Sequence, residues 1–186
     1  MNLIARAKAI LTTPKQEWAA IDAEPFNLSE LLTSYVLPLA AIGPIATFIG
    51  WTTFGFGGYF RMSVGAALTG AITAFVLAIV GLYVAAWVTN ALAPSFGAQQ
   101  SFGQAFKLIA YSSTAAWVGG IFGIIPGLAM IGALIGLYSL YLCYLGIPIL
   151  MKAPQDKAAV YTVAVIVVIL VVYIAAVAIS RGMIGG

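Results

Sequence analysis

Five neutral hydrogen-bonding side chains are the main chemical resource of this sequence: Asn90, Tyr111, Ser112, Tyr141 and Tyr144. Each lies inside or at the end of a long apolar stretch. A hydroxyl or amide that faces hydrocarbon loses its water without replacement. Grouping such residues is therefore favourable, and these five are expected to converge on one polar pocket. With Lys107 as the one nearby charge, that pocket would suit neutral or weakly anionic groups such as lipid headgroups. The plainer alternative is hydrogen bonding between helices together with an aromatic belt at the membrane surface. Catalysis has no comparable starting point. There is no His, and the one cysteine, Cys143, sits in an apolar run. No acid–base pair, activated nucleophile or metal site can be assembled, so neither enzyme activity nor a metal or cofactor is expected.

The elements that position these residues follow from composition. Of 186 residues 63% are hydrophobic and 7% are charged, with a mean hydropathy of +1.08. A soluble domain carries roughly 25% charged residues. Lipid is thus the solvent for most side chains, and helices or a closed barrel are the two structures that satisfy the backbone there. Barrel strands alternate polar and apolar residues, whereas the run from Tyr161 to Ile179 does not. The expected fold is an all-α integral membrane bundle. The net charge of +3 is scattered and offers no face for nucleic acid.

Residues 1–30 read as an amphipathic interfacial segment. Leu3, Ile4, Ala7, Ile10 and Leu11 share one helical face, flanked by Arg6 and Lys8. Arg6 and Lys8 also interrupt any apolar core of a cleavable signal. Thr13, Pro14 and Gln16 predict a capping box opening a second short helix with Trp18 and Ile21, ended by Pro25. Residues 31–186 then form the membrane domain, with five crossings expected at about 31–49, 64–92, 106–125, 128–151 and 158–179, each near the 20 residues a bilayer requires. Pro38 and Pro44 predict a kink or break in the first. The aromatic, Gly-rich stretch Phe54–Met62 suits the interface. Pro126-Gly127 marks a tight turn between the third and fourth. Gly119, Gly123 and Gly127 recur at four-residue spacing, as do Gly132 and Gly136, which allows close helix packing within that hairpin or, alternatively, self-association. With five crossings, Arg6, Lys8, Lys15, Lys107, Lys152 and Lys157 share one side and Arg61 and Arg181 the other. That places the amino terminus in the cytoplasm and the carboxyl terminus outside. A first segment that dips in and returns would weaken the asymmetry.

The runs AYSSTAAW (Ala110–Trp117) and IIPGLAMIGALIGLYSLYLCYLGIPILMKAPQDKA (Ile124–Ala158) resemble the membrane domain of the Yip family, named for interaction with Rab-type GTPases. ILTTPKQEW (Ile10–Trp18) is similar to the start of its bacterial members. Tyr144, Gly146 and Pro148 match the family's Gly-Tyr-Pro-rich segment, where Pro148 would mark a kink. The resemblance implies five crossings, a cytoplasmic amino terminus and a bacterial inner membrane location. It also implies a non-enzymatic role in membrane organisation or trafficking, through lipids, a homo-oligomer or other membrane proteins. Eukaryotic members carry a DLYGP-type motif that this sequence does not contain, so GTPase binding is not expected. The alternative function is a small channel or transporter with a polar pathway among the first four helices.

Overall fold

The computed structural model describes residues 2–55 and 61–184; residues 56–60 of the expected aromatic connection lie outside them. Two short helices, α1 (Leu3–Thr12) and α2 (Pro14–Ala23), form an amino-terminal hairpin. Behind it stand α3 (Leu28–Phe54), α4 (Val64–Phe96), α5 (Phe102–Ser112), α6 (Thr114–Gly119), α7 (Pro126–Leu150) and α8 (Gln155–Ile184). A 3-10 stretch, Gly120–Ile124, continues α6. Among the described residues four helices are long and apolar enough to cross a membrane: Leu28–Phe54, Val64–Phe96, Pro126–Leu150 and Gln155–Val172.

The third expected crossing is not among these four. The α-helical run stops at Ser113 and restarts at Thr114, and the chain is then 3-10 from Gly120. The physical reason is burial. Every residue from Ala105 to Ser112 is buried by protein, so the segment is not selected for apolarity toward lipid. Irregular backbone at membrane depth is tolerated where protein covers it. The hydroxyl cluster at the break does the repair. Ser113 Oγ donates to the Ile109 carbonyl at 2.8 Å and Thr114 Oγ1 to the Tyr111 carbonyl at 2.7 Å. Ser139 of α7 accepts from the Ala116 N–H at 3.1 Å. The half of this segment before the break packs on the later part of α7, and the half after it packs on the earlier part, as in an antiparallel hairpin.

Helix α3 remains one helix despite Pro38 and Pro44. Proline has no N–H and its ring presses on the carbonyl four residues back. The turn Leu32–Val36 widens to π geometry just before Pro38, with the Leu37 N–H reaching the Leu32 carbonyl. Tyr35, in that π turn, is fully buried, and its hydroxyl lies 2.7 Å from Thr114 Oγ1. The irregular turn of α3 thus meets the break between α5 and α6. In α7, Pro148 sits inside the helix and leaves the Tyr144 carbonyl without its usual helical donor.

Close approach of the middle segments depends on glycine. A Cβ at Gly119 would lie 2.7 Å from the Gly132 carbonyl oxygen of α7, and one at Gly132 would come closer still to the Gly119 oxygen. A Cβ at Gly120 would lie 2.7 Å from the Gly43 Cα of α3. Gly123 rests against Thr47, and Gly50 against the Gly123 carbonyl. The glycines of residues 119–123 therefore face two ways, Gly119 toward α7, Gly120 and Gly123 toward α3. Gly127 has open space around it, and Gly136 meets Ala116 at ordinary contact distance. On the far side, Tyr161 of α8 stacks on Phe96 and donates to the Thr89 carbonyl of α4.

The amino-terminal hairpin is not a helix pair lying free on lipid. It is docked on the bundle: Ile10, Trp18 and Ile21 are fully buried, and α2 packs against α7. The expected capping box at Thr13 does not form either, because the Thr13 hydroxyl donates back to the Ala9 carbonyl.

Candidate functional site

Charge in this protein is concentrated where the hairpin meets the bundle. Four of the five acidic residues, Glu17, Asp22, Glu24 and Glu30, fall between residues 17 and 30. Arg6 on α1 points its guanidinium across the hairpin. Nη1 binds Glu17 Oε1 at 2.5 Å and Nη2 binds Glu24. Burial alone disfavours the charged guanidinium. The hydrogen bond to Glu24 and the charges of Glu24 and Glu17 outweigh that, so its pKa stands above the ordinary arginine value. Arg6 also lies 5.8 Å from the centre of the Tyr111 ring, within cation–π range. Tyr111 is packed edge-on by Trp18 and lies 4.7 Å from Tyr35.

Lys107 of α5 is 4% exposed. Its Nζ donates to the carbonyls of Ile21, at 2.9 Å, and Glu24, at 2.5 Å, at the carboxyl end of α2. Helix ends present carbonyls without intrahelical partners and carry partial negative charge, so a buried ammonium fits there. Asp22, on the same last turn, accepts from Gln104 Nε2 at 2.9 Å and pairs with Lys152. Lys152 sits in the left-handed region, at φ 52°, just past the end of α7. One turn of α2 is thereby tied to α5 and α7 by three side chains.

Apolar notches complete the fit. Gly146 of α7 leaves the space filled by the Trp18 ring: a Cβ there would lie 2.8 Å from Trp18 Cε2 and 2.6 Å from a Leu108 methyl. Gly103 of α5 admits Phe26 in the same way, at 2.8 Å. Between hairpin and bundle remains a cleft of about 680 Å³. Arg6, Glu17, Glu24, Glu30, Lys107 and Tyr111 supply its polar wall, and Ala5, Ala9, Ala20 and Phe26 line it as well.

The five residues expected to share a pocket are placed differently. Tyr111 and Ser112 are buried, each 3% exposed, and Tyr111 lines the charged cleft. Tyr141 and Tyr144 are 45% and 49% exposed on the outer side of α7. Tyr141 borders a separate, smaller depression with residues 12–16. Asn90 is partly buried at the end of α4, where its carbonyl accepts from Gln100. The expected pocket is therefore not one shared space. The turn of each helix sends Tyr111 inward and Tyr141 and Tyr144 outward.

Sequence reasoning missed the ionic clamp. Its signal was present in the crowding of acids in residues 17–30 and in a lysine, Lys107, embedded in an apolar run. The chain is 27% identical over 176 residues to the inner membrane protein YohC of Escherichia coli (strain K12), covering 89% of this chain and 90% of that relative. YohC of E. coli O6:H1 (strain CFT073) is similar to the same extent. No solved structure matches. The Yip1 domain model matches residues 8–177, a stretch that takes in most of the hairpin and nearly all of the bundle, and the chain belongs to the Yip1 domain family.

Proposed function

We propose that this protein is a non-enzymatic scaffold of the bacterial inner membrane, acting through lipids, other membrane proteins or copies of itself. Five crossings, with the hairpin in the cytoplasm, complete the reading. The observation that carries it is the closeness of the middle segments. Where α3, α6 and α7 meet, glycine backbones approach until a Cβ would collide. Such contacts leave no space between these backbones at the glycines themselves. Both clefts described above lie beside the hairpin and involve none of these glycines. Relatives named as inner membrane proteins support the location.

The measurement that tests the scaffold reading is flux. Purified protein in liposomes is expected to pass potassium, sodium and protons no faster than protein-free vesicles. A saturable flux abolished by bulky side chains at Gly120 or Gly123 would replace the scaffold with a transporter.

Topology has its own test. Six of eight basic residues share one side if the segment 102–124 crosses, and the gathering of Arg6, Lys107 and Lys152 around α2 supports that side as cytoplasmic. A reporter in the 152–157 loop is expected in the cytoplasm and one at the carboxyl terminus outside. Finding both on one side would refute five crossings.

A further inference from the structure

We infer that the smaller depression, between the turn joining α1 to α2 and the tyrosine face of α7, binds the headgroup of an anionic phospholipid. Lys15 takes the phosphate, Lys8 adds a second positive charge, and Tyr141 offers a hydroxyl from the opposite wall. Residues Thr12, Thr13, Pro14, Lys15 and Gln16 form one side of the depression, and Tyr138 and Tyr141 form the other. Its volume is about 340 Å³, near the lower end for small-molecule sites. That admits a headgroup and leaves the acyl chains outside.

Charge complementarity selects the ligand. The other cations around the hairpin are already matched. Arg6 pairs with Glu17 and Glu24, Lys152 with Asp22, and Lys107 rests on the carbonyls that end α2. Lys8 and Lys15 are exposed, and among the described residues neither side chain has an ionic or hydrogen-bonding partner. No acidic side chain among those residues lines the depression. Lys15 is its one charged lining residue, and Lys8 stands one turn before Thr12 on the same exposed face of α1. The Thr12 hydroxyl joins these turns by donating to the Lys8 carbonyl at 2.8 Å. The opposite wall is braced as well. Tyr138 donates to the Leu11 carbonyl at 3.1 Å, and its ring lies 5.5 Å from that of Tyr141. The Tyr141 hydroxyl makes no hydrogen bond within the described residues and remains a donor.

Depth selects a lipid over a soluble phosphate. Helix α7 has no polar side chain from Leu128 to Leu137, and Met130, Leu134 and Leu137 are exposed. One turn further on, the exposed surface changes to Tyr141 with Thr12, Lys15 and Gln16 beside it. Lysine is costly in hydrocarbon and tyrosine favours the headgroup level, so this change marks the membrane surface. Anionic headgroups at that level attract lysine. A headgroup in the depression can run its chains along Leu137 and Leu134. The inference rests on the lipid part of the proposed function and deepens it. It stands whether or not the protein conducts ions, because flux and headgroup binding are measured separately.

The test uses the full-length protein, delipidated in detergent and titrated with phosphatidylglycerol or phosphatidylethanolamine of identical chains, with bound lipid counted by native mass spectrometry. Phosphatidylglycerol is expected to bind about tenfold more tightly, as two lysines near an anionic headgroup imply. Lys15→Gln should cut that advantage to about threefold or less without lowering the melting temperature, and Lys15→Arg should keep it. Lys157→Gln, which removes an equally exposed charge from the first turn of α8, should leave it unchanged. Equal affinity for the two lipids, or an advantage that survives Lys15→Gln, would overturn the site. Equal losses at 15 and 157 would reduce it to general attraction between a basic protein and anionic lipid. Inorganic phosphate displacing phosphatidylglycerol at comparable concentration would overturn the membrane source of the ligand.

Discussion

Leucine at position 132 is expected to lower the melting temperature of the detergent-solubilised protein by roughly 5–10 °C, the upper range for overpacking a protein of this size. Gly132 touches Gly119 backbone to backbone, and even a Cβ would press into the Gly119 carbonyl oxygen. A flexible side chain could swing away from such an intrusion; a carbonyl held in a helical turn cannot. Relief would require α7 to separate from α6, which would also strain the Ser139–Ala116 hydrogen bond beside it. The cost should be about 3 kcal/mol, near the top of the overpacking range. Gly127→Leu is the matched control. It continues the four-residue spacing of Gly119 and Gly123, yet nothing approaches it within 4 Å. Its melting temperature should stay close to that of the parent. Equal effects at 127 and 132 would mean that close backbone approach does not explain these glycines.

Truncating Trp18 to alanine is expected to release the amino-terminal hairpin. The side chain is fully buried against Gly146, Leu108 and Tyr111. Removing a buried tryptophan costs about 3–5 kcal/mol when the site cannot collapse around the gap. Here the loss falls where α2 meets α5 and α7, the seat of the hairpin on the bundle, so its readout is local. Tryptic cleavage after Lys8 and Lys15 should accelerate severalfold while the bundle keeps its helical signal. Gly146→Val attacks the same notch from the other side and should produce the same cleavage pattern, because its side chain would occupy the space of the Trp18 ring. Protection unchanged in both variants would show that the ionic clamp of Arg6, Lys107 and Asp22 holds the hairpin alone.

The two substitutions mark the boundary between what could be read along the chain and what could not. Apolar run length and the grouping of charge are properties of the sequence itself. They determined the helical class and the membrane as solvent. Helix capping is likewise a matter of near neighbours in the chain. Asn27 and Ser101 cap helices through their side chains, and Gly97, at φ 68°, closes α4. What the sequence did not determine is which way each helix faces. In a soluble protein the core is apolar and the solvent polar, so a helix declares its inner face. In a bilayer, lipid tails are as apolar as the core, and helix α7 looks much the same on every side. Nothing in its sequence separates an outward Tyr144 from a neighbouring Gly146 that receives Trp18.

Tertiary structure also decided the fate of the polar residues. Arg6, placed by pattern at the flank of a lipid-lying helix, instead crosses the hairpin to Glu17 and Glu24. Lys107, expected as the one charge near a neutral pocket, is buried on the carbonyls that end α2. A charge can be buried only when its partners are brought to it. Here the partners lie 86 and 83 residues away in the chain, a distance that periodicity does not reach and only the folded bundle closes.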